Sequence, residues 1–66
     1  MMSGFIKYID KNQGNGYILG YDDVSYYFEF SSLDFAIDLL KEGLEVRFQS
    51  KINGLITYAI DISLLV

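Results

Sequence analysis

Tyr17 and Tyr27 occupy matching places in two aromatic segments, Gln13-Gly14-Asn15-Gly16-Tyr17-Ile18 and Tyr26-Tyr27-Phe28-Glu29-Phe30-Ser31. Read as neighbouring strands, these segments alternate faces residue by residue. Tyr17 and Tyr27 then turn outward together while Ile18, Tyr26 and Phe28 turn inward. An outward row of rings on a small sheet is a surface on which nucleic-acid bases can stack. The same rings also suit a half-buried sheet surface, because Tyr and Phe are enriched in strands. Lys7 and Lys11, on the first strand and at its end, either give this face a positive rim or simply solvate an outer surface.

Other chemistry is scarce. The chain has no His and no Cys, which removes imidazole bases, thiolate nucleophiles, disulfides and the commonest zinc ligands. Asp22-Asp23 reads as a turn pair with no catalytic partner, and no Ser has a His or a neighbouring Lys to activate it. The expectation is a protein that is not an enzyme and that uses no cofactor and no metal. Five Lys or Arg against nine Asp or Glu give a net charge of −4. That balance argues against binding that depends mainly on neutralising phosphates, and leaves stacking open.

The elements that must carry these residues fit one small domain of 66 residues, in which a hydrophobic fraction of 52% can build a core without crosslink or metal. No run approaches the length of a membrane span, and the N-terminus has no basic stretch leading into an apolar one. A soluble, cytoplasmic protein is expected. Residues 4 to 10 read as the first strand, although adjacent Phe5 and Ile6 blur its alternation. The turn-forming stretch 11 to 16 leads into a second strand at 15 to 20, and Tyr21-Asp22-Asp23 turns into a third at 24 to 31. The period then changes. Leu33, Ile37 and Leu40 recur at helical spacing, Ser31 and Asp34 stand in capping-box register, and Gly43 suits a C-cap, so a short helix is predicted over 34 to 41. Residues 44 to 52 alternate cleanly, with Val46 and Phe48 inward and Glu45, Arg47, Gln49 and Lys51 outward. Asn53-Gly54 predicts a type I′ hairpin turn into a fifth strand at 55 to 63, with Ile56, Tyr58, Ile60 and Ile62 on one face. The predicted core is Ile6, Ile18, Tyr26, Phe28, Val46, Phe48 and Ile60. The apolar end Leu64-Leu65-Val66 is expected either to pack on the domain or to form a subunit contact.

Five strands with a break after the third point to an all-β, five-stranded antiparallel Greek-key barrel of the OB type, with the short helix between strands three and four. At this point the chain resembles bacterial cold-shock proteins over nearly its full length. That family opens with Gly-x-Val-Lys-Trp-Phe-Asn, continues with Lys-Gly-Phe-Gly-Phe-Ile and then carries Asp-Val-Phe-Val-His-Phe-Ser. Here the corresponding segments are Gly4-Phe5-Ile6-Lys7-Tyr8-Ile9-Asp10, Gln13-Gly14-Asn15-Gly16-Tyr17-Ile18 and Ser25-Tyr26-Tyr27-Phe28-Glu29-Phe30-Ser31. The spacing from the first motif to the second matches the family's without a gap. Glu42-Gly43 resembles the family's Glu-Gly, and Ala59-Ile60-Asp61-Ile62 its Ala-Ala-Asn-Val.

The resemblance implies binding of single-stranded RNA or DNA by ring stacking with little sequence preference, in the role of an RNA chaperone or a regulator of transcription or translation. Position by position, it assigns the contacts to Lys7, Tyr8, Tyr17, Tyr27 and Phe30. Lys11, Gln13, Asn15, Glu29 and Phe35 are further candidates. Three of these depart from the family pattern: Asn15 stands where a stacking Phe is usual, Glu29 where a His is, and Gln13 where a Lys is. Each departure weakens binding. A base stacked on an aromatic is worth about 1–3 kcal/mol, so one lost ring costs about tenfold or more in affinity. The alternative is a protein-interaction module on the same fold, supported by those losses, by Phe5 and by the apolar end; a homodimer through either is its simplest form.

Overall fold

The computed structural model describes residues 1–65. Its strands are β1 (Met2–Asp10), β2 (Asn15–Gly20), β3 (Ser25–Glu29), β4 (Glu45–Asn53) and β5 (Ile56–Leu64). They form a closed barrel in the order β1-β2-β3-β5-β4, with β4 pairing back onto β1. Closure removes the sheet edges that would otherwise invite pairing between molecules. The pairing is antiparallel except at one seam, where β3 and β5 run parallel through Tyr27 and Tyr58. The expected all-antiparallel barrel is corrected at that seam, because β5 returns alongside β3 instead of turning back from it.

Ile6, Ile18, Tyr26, Phe28, Val46 and Phe48 fill the interior as their strand phases predict, joined by Leu40, Ala59 and Ile62. Ile60 does not join them and is only half-buried. Asp61 explains the difference. It has a positive φ of 51°, and the β4–β5 register slips there: Arg47 faces Ser63 while Gln49 faces Ile60. The extra residue on β5 is a bulge, and it reverses the phase so that Ala59 and Ile62, three positions apart, both point inward. A second bulge in β1 lies between Ile6 and Tyr8. In a regular strand these two residues would share a face; the bulge at Lys7 lets Ile6 enter the core while Tyr8 turns out.

The helix predicted over 34–41 contracts to a 3₁₀ turn at Ile37–Leu39, with another at Phe30–Ser32. Leu33 and Ala36 are extended, Leu33 bridges to Ile62, and the Asp34 N–H donates to the Ile62 carbonyl at 2.7 Å. Pairing with β5 therefore holds the chain extended where the first helical turn would begin. So short a helix has little stability of its own to compete. The apolar spacing that suggested it still works in part, since Leu40 is buried and Leu33 packs on the core. Neither 3₁₀ turn has a side-chain cap.

The β4–β5 hairpin also differs in detail. Asn53 pairs with Ile56, which leaves Gly54 and Leu55 as the central residues. Of these only Gly54 has positive φ, at 66°, the pattern of a type II′ turn rather than type I′. At the chain end, Leu64 pairs with Val46 and the Leu65 N–H reaches the Glu45 carbonyl at 3.3 Å, so these two residues pack on the barrel. Val66 lies outside the described residues.

Candidate functional site

The barrel places the predicted rings side by side by register. Tyr8 pairs with Tyr17, and Tyr17 with Tyr27, so the three tyrosines stand in one row across three neighbouring strands. Residues paired across a ladder project from the same face. Tyr8 and Tyr17 are 49% and 44% exposed, and Tyr27 is half-buried. The rings of Tyr17 and Tyr27 meet edge to face, with centroids 5.8 Å apart and planes at 70°. Edge-to-face pairs of this kind contribute about 0.5–1.5 kcal/mol beyond their buried area, which orders these two rings before any ligand arrives.

The close passage of β1, β2 and β3 depends on Gly16. A Cβ there would collide with the Tyr8 carbonyl and would lie 3.0 Å from the Phe28 ring. Phe28 can therefore sit directly beneath the backbone that carries Tyr17. This joins the core to the ring-bearing face.

The other candidates fall in distinct places. Lys7 is exposed at the β1 bulge, and Lys11 and Gln13 are exposed in the turn before β2. Asn15 fills the place of an absent ring in another way: its Nδ2 donates to the Tyr27 hydroxyl at 3.3 Å. Asn15 also pairs with Asp10 on one side and with Glu29 on the other. A row of two carboxylates around an amide thus runs beside the tyrosine row. Phe30 is half-buried and packs on the core, its ring stacked with Phe28 at 6.3 Å and 23°. Its N–H donates to the Gly14 carbonyl at 2.9 Å, which anchors it beside the β1–β2 turn. Phe35 is half-buried and packs against the core as well, so it offers less ring surface than Tyr8 and Tyr17.

Alternation puts Tyr58 on one face of β5 with Ile60 and Ile62, and not among the candidate contacts. Its ring lies 5.4 Å from Tyr27 at 83°. The signal that finds it is the parallel seam between β3 and β5, a long-range pairing that alternation within one strand does not reveal.

Tyr26, buried in the core, is the only strongly shifted tyrosine among the described residues. Its hydroxyl donates to Asp22 Oδ2 at 2.6 Å. Burial, with Asp22 next to it, pushes Tyr26 up to about 12, while the hydrogen bond from Tyr26 lowers Asp22 below the usual carboxylate range. This pair locks the β2–β3 turn and lies apart from the tyrosine row.

Neither a protein-family model nor a curated protein matches the sequence. Among solved structures, drosophila Unr CSD456, a cold-shock-domain structure, superimposes with a TM-score of 0.82 at 22% identity. The match covers 97% of this chain, which spans 26% of the length of that one. Among the described residues no helix is long and apolar enough to cross a membrane. The chain therefore has the five-stranded OB-type barrel of a cold-shock domain.

Proposed function

We propose that the chain binds single-stranded nucleic acid by stacking bases on the row Tyr8, Tyr17 and Tyr27. The observation that carries this reading is the register itself, which aligns three outward rings on adjacent strands, two of them, Tyr17 and Tyr27, in edge-to-face contact. Stacking is sequence-tolerant because every base has a π-face. Low sequence preference follows, which suits an RNA chaperone or a regulator of transcription or translation acting on unpaired segments. Lys7 stands at one end of the row as a phosphate contact. Phe30, half-buried and stacked with Phe28, is a further stacking position.

Charge sets the strength. With Asp10 and Glu29 flanking the rings and a net charge of −4, few counterions are displaced on binding. Affinity should accordingly be modest and change little with salt. Tyrosine emission followed with oligo-dT and oligo-U at low and moderate salt tests the reading. Saturable quenching with a shallow salt slope is expected, and Asn15→Phe with Glu29→His should strengthen it. Absence of binding by wild type and by that double variant would end the reading.

A protein-interaction role is the second reading. It is favoured by an apolar hollow of about 450 Å³ lined by Leu39, Leu44, Leu64 and Leu65 among others, and by exposed Phe5 packed edge to face on Tyr21 at 5.4 Å. A homodimer or a protein partner would use one of these surfaces. Sedimentation across a concentration series separates that outcome from a monomer.

A further inference from the structure

Register extends the tyrosine row beyond the residues that resemblance assigns. Tyr27 pairs with Tyr58 across the parallel seam, and Tyr58 pairs with Lys51 across the hairpin. Side chains paired in this way share a face. The row therefore runs Tyr8, Tyr17, Tyr27, Tyr58 and Lys51, one residue from each strand of the barrel.

Tyr58 is not a core residue in this arrangement. Its neighbour Ala59 is the one that turns inward, while Tyr58 stays half-buried at the edge of a hollow of about 230 Å³. Glu29, Ser32, Lys51 and Asn53 line the same hollow. Lys51 is exposed there and Lys7 is exposed at the opposite end of the row. An ammonium group thus stands at each end of a line of rings, with the carboxylates confined to one flank.

We propose that Tyr58 and Lys51 are further contacts for the single strand, which crosses the barrel from β1 to β4 with a base against Tyr58 and a phosphate against Lys51. This rests on the base-stacking reading and adds to it a direction and an end point. Glu29 shares the hollow with Lys51 and opposes the phosphate, so its carboxylate limits affinity at that end.

Anisotropy of fluorescein-labelled oligo-dT tests the proposal with the whole chain. Tyr58→Ala should weaken binding about fivefold or more, while Tyr58→Phe, which keeps the ring, should bind as wild type does. Lys51→Gln should flatten the slope of log K against log salt by about 0.7, and Glu29→Gln should tighten binding. If Tyr58→Ala melts below the assay temperature, Tyr58→Leu, which keeps apolar bulk but no ring, is held to the same fivefold criterion. Should Tyr17→Ala weaken binding while the Tyr58 and Lys51 variants bind and respond to salt as wild type does, the extension is overturned and the stacking reading stands. Should wild type fail to bind, both fall together.

Discussion

Two residues two positions apart, Ile6 and Tyr8, do opposite work because Lys7 is bulged between them. Such local phase changes decide which rings face solvent, and they are only partly legible in sequence. Tyr17 and Tyr27 could be read outward because both lie in strands that alternate cleanly and follow one another in the chain. Tyr58 could not, because its place beside Tyr27 depends on a parallel pairing between segments far apart in sequence. By residue type Asn15 is a lost ring; its bond to the Tyr27 hydroxyl is a positioning contact that residue type alone does not announce. At this scale the Tyr26–Asp22 pair gives a prediction in pH. Tyr26 is raised to about 12, so its contribution to stability is full below the unfolded value of about 10 and is lost as pH rises through the folded one. Asp22 is lowered, so its contribution is present above the unfolded carboxylate value and is lost as pH falls through the folded one. In melting curves, wild type should lose more stability than Tyr26→Phe between about pH 10 and 12 and again in acid. Parallel pH profiles for the two proteins would mean that the hydroxyl pair does not couple to folding.

Among the elements, β4 follows alternation in its first half, with Val46 and Phe48 inside, and departs from it beyond Phe48, where Ser50 and Ile52 in the same phase are exposed along with Gln49 and Lys51. β5 was read with one unbroken phase, and the bulge at Asp61 broke it. Nothing in the pattern Ala59-Ile60-Asp61-Ile62 marks that bulge except Asp, one of the residues that most readily tolerates the left-handed region. The strain there is testable. Asp61→Gly should melt at or above wild type, whereas Asp61→Val should cost about 1–2 kcal/mol, since a β-branched residue is poorly accommodated at positive φ. Equal melting temperatures would show that the bulge relaxes without penalty. The predicted helix failed for a related reason: Leu33 and Asp34 are drawn to Ile62 of β5, and tertiary pairing overrode an apolar spacing that looked helical.

The whole barrel couples its core to its face. Phe28 is fully buried, touches the ring of Phe30 and sits under Gly16, so the packing that stabilises the domain also sets the surface above it. Phe28→Ala should cost about 3–5 kcal/mol, comparable to the total stability expected of a domain this small. Denaturant unfolding of that variant near the wild-type midpoint would contradict the packing. Most of the core was legible because it follows from strand phase, while the parallel seam through which the barrel closes was not, because it is a property of topology. On the stacking proposal the face that carries the tyrosine row, and not the apolar hollow near Leu64, receives single-stranded nucleic acid. Chemical-shift mapping with a dT oligomer tests it most directly. The tyrosine row predicts that the ring resonances of Tyr8, Tyr17 and Tyr27 shift together and saturably; shifts confined to Leu39, Leu44 and Leu64, or none at all, would contradict it.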